Sequence, residues 1–385
     1  MTRLVFYVTG HGFGHASRVI EVINALFARE PGLEIHVRTT TARWLFDLAT
    51  ARPVVYHHVE CDTGVVQIDS LHPDIPATVE RAARFYEALA PRLDQEAAWL
   101  ARAAPSLVVA DIPPLAFAAA HAAGVPAVGL SNFTWDWIYE GYRDALGAAS
   151  WLPARLADLQ ATAREAWRLP MHGGFASYRS VFDLPLVARH ARRHRAEVRD
   201  ALEVPADRPI VLVSFGGFGQ EGLPLDAVAL EGRYTVVTTA PPDSPRAGTR
   251  VAHHLDSGVV LIDERALYAA GLRYEDLVAA SDVILTKPGY GIIAEAIANG
   301  AALLYTSRGR FAEYDVLVRE MPRYLRSRFI SNDDLLSGRW TPHVTALLAQ
   351  PPAPERPATD GADLAAARAL ELAGLSAGRA GRPAP

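Results

Sequence analysis

Two open α/β sheets of parallel strands, facing one another across a ligand cleft, are what this 385-residue sequence predicts. Three observations lead there. Short apolar runs alternate with helical patterns in two separate blocks, the pattern of parallel sheets covered on both faces. Each block opens with a strand that runs into glycines: Gly10, Gly12 and Gly14 in the first, Gly216, Gly217 and Gly219 in the second. A further glycine turn, residues 286–291, carries Lys287, the single lysine among 38 basic residues. In open α/β sheets, ligands bind at the carboxyl ends of the strands, where such turns lie.

The first block, residues 1–188, has strand candidates at 4–8, 34–38, 54–58, 107–110 and 127–130. Its first strand meets Thr9-Gly10-His11-Gly12-Phe13-Gly14-His15, and a helical pattern follows from Ala16, with Val19, Ile20, Val22, Ile23 and Leu26 at three- and four-residue steps. The turn reads G-x-G-x-G and lacks the G-x-G-x-x-G spacing of a nicotinamide fingerprint. Its mark is the pair of histidines around the glycines. Residues 189–209 form the boundary and hold a charged helical pattern. Its run from Arg189 to Arg195 reads as a solvated face rather than a phosphate track. The second block, residues 210–350, has strand candidates at 210–214, 235–238, 259–262, 283–285 and 302–305. The Pro-, Ala-, Gly- and Arg-rich stretch 351–385 is expected to be largely disordered, apart from a helix at 362–372.

Composition excludes several function classes. Net charge is −5 with both signs interspersed, which argues against a nucleic-acid-binding protein. Cys61 is alone, so neither a disulfide framework nor a cysteine zinc site can form within the chain. The first apolar run is too short for a signal peptide and meets glycines and histidines at once. No apolar stretch is long enough to span a bilayer. The expectation is a soluble, cytoplasmic protein. No D-x-D carboxylate pair occurs, and the adjacent pairs His57-His58 and His253-His254 point to opposite faces of their strands. No metal is expected.

The glycine turns point to anion chemistry. A strand, a glycine turn and a helix start bring free backbone N–H groups and the positive helix end together. Gly12 and Gly14, Gly216 and Gly217, and Gly289, Tyr290 and Gly291 with Lys287 are therefore candidates to cradle phosphates. A compact ammonium fits close to a phosphate where a guanidinium does not. For proton transfer the candidates are His15, His11 or the carboxylate of Asp111; histidine titrates near neutrality. The position of His15 equally suits a phosphate contact or a helix cap. Arg18, and Asn132, Trp135 and Asp136 after another strand end, are further candidates to touch a ligand, an aromatic ring offering a flat apolar face with a polar edge.

Several stretches together resemble a known family. They are residues 8–19, beginning Val8-Thr9-Gly10-His11; Ser131-Asn132-Phe133-Thr134-Trp135-Asp136-Trp137; Asp183-Leu184-Pro185-Leu186-Val187; Phe215-Gly216-Gly217; and Asp282 running into Lys287, Gly291 and Glu295. This set looks like a GT-B glycosyltransferase with two Rossmann-like domains. More narrowly it resembles the glycosyltransferase-like half of plant L-arabinokinase, over residues 4 to 340, and more distantly the UDP-N-acetylglucosamine transferases that make lipid II. The kinase half has no counterpart here, so kinase activity is not implied. The resemblance implies a UDP-linked sugar donor; with a histidine base the transfer is expected to invert, no cofactor is expected beyond the donor, and Arg18, Asn132, Trp135 and Asp136 become candidates to hold the acceptor. It implies ribose binding for Glu295, the base-binding edge for Glu264 and Tyr274, and contact with the donor sugar for Glu313 and Asp315. Two other classes share the architecture: a nucleotide-sugar sensing module, and a non-hydrolysing epimerase, whose G-T-R-P-E element is absent.

Overall fold

In the computed structural model, residues 2–216, 222–240 and 250–375 are described. The first half forms β1 (Arg3–Val8), β2 (Glu34–Thr39), β3 (Val55–His58), β4 (Leu107–Asp111), β5 (Ala127–Phe133), β6 (Glu165–Gly173) and β7 (Val181–Asp183). They make one sheet in the order β3-β2-β1-β4-β5-β6-β7, every pairing parallel. The second half forms β8 (Ile210–Ser214), β9 (Thr235–Thr239), β10 (Ala252–His254), β11 (Val260–Ile262), β12 (Val283–Thr286), β13 (Ala302–Tyr305) and β14 (Ser327–Phe329). Their order is β10-β11-β9-β8-β12-β13-β14, with β10 alone antiparallel.

The apolar runs explain the central strands. Val5, Tyr7, Val108 and Ala110 enter the core on one face of the first sheet, while Leu4, Phe6, Val8, Leu107 and Val109 enter the core on the other. A strand covered on both faces needs apolar residues at successive positions, and burying each large one contributes about 1.5–3 kcal/mol. Strands β6, β7, β10 and β14 add to those expected from sequence. Three of them are three-residue strands, and β6 interrupts its apolar pattern with Arg168, Pro170 and His172.

The helix expected at 362–372 is present as Gly361–Leu372, and it packs on the Gly14–Arg29 helix with Ala365, Ala366 and Ala369 fully buried. Alanines let the two helices approach closely, and Arg368 ties the returning helix to Glu165 at 2.8 Å. The basic run beginning at Arg189 is helical only over Arg195–Ala201. Arg192 and Arg193 are exposed as expected, but Arg189 lies before the helix and turns inward.

The carboxyl ends of the two sheets face one another. In each sheet the chain reverses its direction of winding at one place, between β1 and β4 and between β8 and β12. Ligands settle in the crevice at such switch points. The seam between the halves is tight there. The position a Cβ on Gly291 would take is 3.6 Å from Gly14 Cα, and the rings of Phe133 and Tyr290 stack 6.1 Å apart. The loop joining β3 to the Ile75–Glu87 helix crosses from the first half to the second. Its Leu71 is buried in the second half's core beside Val213 and Phe215, and Ser70 Oγ donates to the Phe215 carbonyl at 3.0 Å. No helix among the described residues is long and apolar enough to cross a membrane.

Candidate functional site

On the first half's side, β1 and β4 lie side by side with Val8 opposite Asp111. Gly12, at φ +72°, turns the chain from β1 into the Gly14–Arg29 helix, a left-handed step that glycine takes without strain. His15 falls in that helix's first turn, and its Nδ1 is 2.8 Å from Asp111 Oδ1. Arg18, one turn on, donates to both oxygens of the same carboxylate at 2.8 and 2.6 Å. Burial alone would raise the Asp111 carboxyl, but Arg18 and then His15 outweigh it and hold it below its ordinary range. An ionised Asp111 can accept from Nδ1–H of His15, the tautomer that leaves the ring's lone pair on Nε2. Asp111 has no exposed surface and both its oxygens are engaged. Both oxygens are turned to His15 and Arg18 in the interior.

The residues expected to hold an acceptor divide. Arg18 Nη1 donates to Asn132 Oδ1 at 2.5 Å, and Asn132 Nδ2 to the Pro170 carbonyl at 2.6 Å, so both belong to the network around Asp111. Trp135 is buried behind Phe133, its Nε1 donating to Asp62 at 3.1 Å. Asp136 faces away, toward Gln160 at 3.1 Å. Neither Trp135 nor Asp136 is brought to His15. Asp62, which no sequence pattern marks, also accepts from Thr9 at 2.6 Å, and burial pushes its carboxyl up to about 6.

On the second half's side, β12 ends at Thr286 and the Tyr290–Asn299 helix starts after Gly289, with no side-chain cap and no acidic residue in its first turn. The Gly14–Arg29 helix opposite begins the same way. Two positive helix ends therefore meet across the seam with no carboxylate in either first turn. Lys287 sits between them. Its Nζ donates to Gln67 Oε1 at 3.3 Å, and Gln67 Nε2 is 2.9 Å from His11 Nε2. Burial, then Arg308, pulls the Lys287 ammonium down to about 7 against Asp69 and Glu313. Burial, then His15, Arg308 and Lys287, drives His11 to about 3, so His11 is neutral. Burial lowers both Lys287 and Arg308, and Arg308 lowers Lys287 further; desolvated cationic side chains this close mark a place suited to an anion. Gly216, at φ +75°, follows β8 by two residues; Gly217 lies outside the described residues.

Glu295 lies one helical turn behind the Lys287 loop. Arg189 donates to its Oε1 through Nε at 2.8 Å and Nη2 at 2.6 Å and also meets Glu275 at 3.4 Å and the Tyr268 hydroxyl at 3.2 Å. Glu264 is raised by burial and coupled to Arg189 and Glu295, and Tyr274 meets Ser214 Oγ at 2.5 Å beside the same group. The structure thus brings Glu264, Tyr274 and Glu295 together. Glu313 and Asp315 separate. Glu313 is buried and accepts from Arg308 at 3.2 Å, while Asp315 is exposed and lines a cavity of about 510 Å³ between residues 137–142 and 309–315. Gln67, Arg189 and Arg308 come from loops or the linker, where no local pattern announces them. No cluster of histidine, cysteine and carboxylate side chains suited to a metal occurs among the described residues.

No family model matches this chain. It is 32% identical over 347 residues to the L-arabinokinase of Arabidopsis thaliana, covering 88% of this chain but 31% of that protein. It is 28% identical over 317 residues, 78% of this chain and 76% of its counterpart, to the UDP-N-acetylglucosamine–N-acetylmuramyl-(pentapeptide) pyrophosphoryl-undecaprenol N-acetylglucosamine transferase of Clavibacter michiganensis. Among solved structures, the calicheamicin glycosyltransferase CalG4 superposes with a TM-score of 0.58 at 17% identity, covering 99% of this chain and 100% of CalG4.

Proposed function

We propose that this chain, whose fold is that of the GT-B glycosyltransferases, is itself one, moving a sugar from a UDP-linked donor to an acceptor hydroxyl with inversion. The observation that carries the reading is the His15–Asp111 pair at the switch point of one sheet, directly across the seam from the Lys287 helix start at the switch point of the other. In this reading Nε2 of His15 takes the acceptor's proton as the acceptor oxygen attacks the anomeric carbon. The bond from that carbon to the diphosphate breaks on the opposite face, and the electron pair leaves with UDP. The N–H groups of Gly289 to Gly291 and the Lys287 ammonium stabilise the growing charge, each well-aimed donor contributing about 3 kcal/mol. Asp111 holds the His15 tautomer and stabilises the imidazolium. Glu295 takes the ribose through Oε2, since Arg189 engages its Oε1, and Glu264 and Tyr274 border the base. The donor is the sole cosubstrate, and no step needs a metal or a cofactor.

The test is calorimetry with UDP, ADP and GDP, followed by release of UDP from a panel of UDP-sugars with and without a chelator. The expected result is preference for UDP and slow donor hydrolysis indifferent to EDTA. Failure of every nucleoside diphosphate to bind would sink the reading. Binding of UDP-sugars without hydrolysis or transfer would make the chain a sensor instead.

A further inference from the structure

We propose that Tyr142, Tyr290 and Arg308, together with Glu313, recognise the sugar being transferred, and that this sugar is neutral and keeps its hydroxyls. The inference rests on the donor reading above and adds a substrate class to it. The four residues form one buried polar group at the seam, Tyr142 from the first half and the others from the second. Their place lies between the phosphate side and the base. Arg308 Nη1 reaches the Pro288 carbonyl, next to Lys287, at 3.4 Å. Tyr290 stacks on Phe133, whose ring stands edge-on to His15 at 5.8 Å. A sugar joined to a diphosphate at Lys287 and attacked from His15 must lie in that interval.

The polar inventory of the group is incomplete. The Tyr142 hydroxyl, the Tyr290 hydroxyl and Arg308 Nε are all buried without a hydrogen-bond partner. Burying such a group unpaired costs about 1–3 kcal/mol, so three together at the domain seam call for an explanation. Both phenols lie in the field of Glu313 and Arg308. Arg308 is further fixed by the Phe311 ring, 3.6 Å from its guanidinium carbon. Tyr142 and Phe311 also line the 510 Å³ cavity, so parting the seam there opens the group to a ligand.

The donors and acceptors present decide the ligand's chemistry. Arg308 Nε can only donate, the second oxygen of Glu313 can only accept, and a phenol does either. A sugar hydroxyl donates and accepts, so a polyhydroxylated ring answers all of them. A deoxygenated ring leaves one or more buried groups unpaired, which sites of this kind reject strongly. A uronic acid would set its carboxylate beside Glu313, which already neutralises Arg308; two like charges buried together are disfavoured.

The experiment compares wild type with Tyr142→Phe and Tyr290→Phe, measuring calorimetric affinities for UDP, UDP-glucose, UDP-galactose, UDP-N-acetylglucosamine, a UDP-4-deoxyhexose and UDP-glucuronate. Neither substitution removes a hydrogen bond from the empty protein, so neither is expected to lower its melting temperature. Each is expected to weaken the best neutral UDP-sugar about tenfold, the loss of one hydrogen bond, while UDP changes less than about twofold. Wild type is expected to rank a neutral hydroxylated donor above both the deoxy and the glucuronate donors. Equal responses of UDP and UDP-sugar to both substitutions overturn the inference, as does tightest binding of the deoxy or glucuronate donor. If UDP itself fails to bind wild type, the donor reading falls and takes this one with it; normal UDP binding isolates the failure to the sugar.

Discussion

Replacing His15 by alanine is expected to lower kcat about a hundredfold or more and to leave UDP affinity nearly unchanged. That is the usual range for loss of a general base. Hydrolysis of the donor, read as UDP release, measures it before any acceptor is identified. The separation of kcat from binding matters because His15 also stands at a helix start, where a phosphate contact would serve equally well. A contact made alike to substrate and transition state raises KM and spares kcat. Retained turnover with weakened donor binding would therefore assign His15 to the phosphates. Asp111→Asn is the companion variant. An amide can donate to Nδ1 as readily as accept from it, so the tautomer with a basic Nε2 is no longer enforced. The same change strips Arg18 of its carboxylate. Stripping one partner from a buried ion pair costs about 3–5 kcal/mol, so its melting temperature must be measured beside its rate.

Lys287→Ala is expected to abolish measurable UDP binding at concentrations that saturate wild type, and Lys287→Arg to restore only part of it. The guanidinium is wider than the ammonium, and Lys287 sits in a glycine turn between Gln67 and Arg308. Indistinguishable affinities in the three proteins would remove Lys287 from the site. A pH signature accompanies this. In the empty protein the ammonium is lowered from 10.5 to about 7. Between about pH 7 and 10.5 the unfolded chain holds a proton that the folded chain lacks, so stability rises with pH across that window. Below about pH 7 the full penalty of burying the charge is present. Lys287→Met is accordingly expected to raise the melting temperature of the empty protein near pH 6, even as it removes nucleotide binding. A diphosphate reverses the balance by favouring the charged form, so UDP binding above pH 7 should take up a proton. Calorimetry in buffers of different ionisation enthalpy reads that uptake directly; zero uptake at pH 8 contradicts it.

The central strands were readable because both faces of each sheet are covered, which forces unbroken apolar runs such as residues 4–8 and 107–110. Strands β7 and β10, three-residue strands with exposed or half-exposed side chains, leave no such trace. The glycine turns carrying His15 and Lys287 were readable for a different reason: a strand, a glycine turn and a helix start are all local in sequence. What completes the site is not local. Asp111 meets His15 across 96 positions, Gln67 meets Lys287 across 220, and Arg189 meets Glu295 across 106. Trp135 shows the converse. Its stretch reads as a ligand platform, yet the indole N–H is drawn inward by the buried carboxylate of Asp62. The solvated face expected of the basic run holds for Arg192 and Arg193, whereas Arg189 is drawn in by Glu295, Glu275 and the Tyr268 hydroxyl.

The loop that carries Leu71 into the second half, and the helix that returns from residue 361 to the first, have a thermodynamic consequence. Each half borrows part of its core from the other: Leu71 fills a place beside Val213 and Phe215, and Ala365, Ala366 and Ala369 cover the Gly14–Arg29 helix. Melting either half alone would therefore leave a hole in its neighbour, and removing a buried leucine side chain costs about 2–5 kcal/mol. The two sheets should melt as one calorimetric unit, giving a single endotherm whose calorimetric and van't Hoff enthalpies agree. Fragments separated in the 189–209 linker, each missing a piece of its own interior, should be soluble only when produced together.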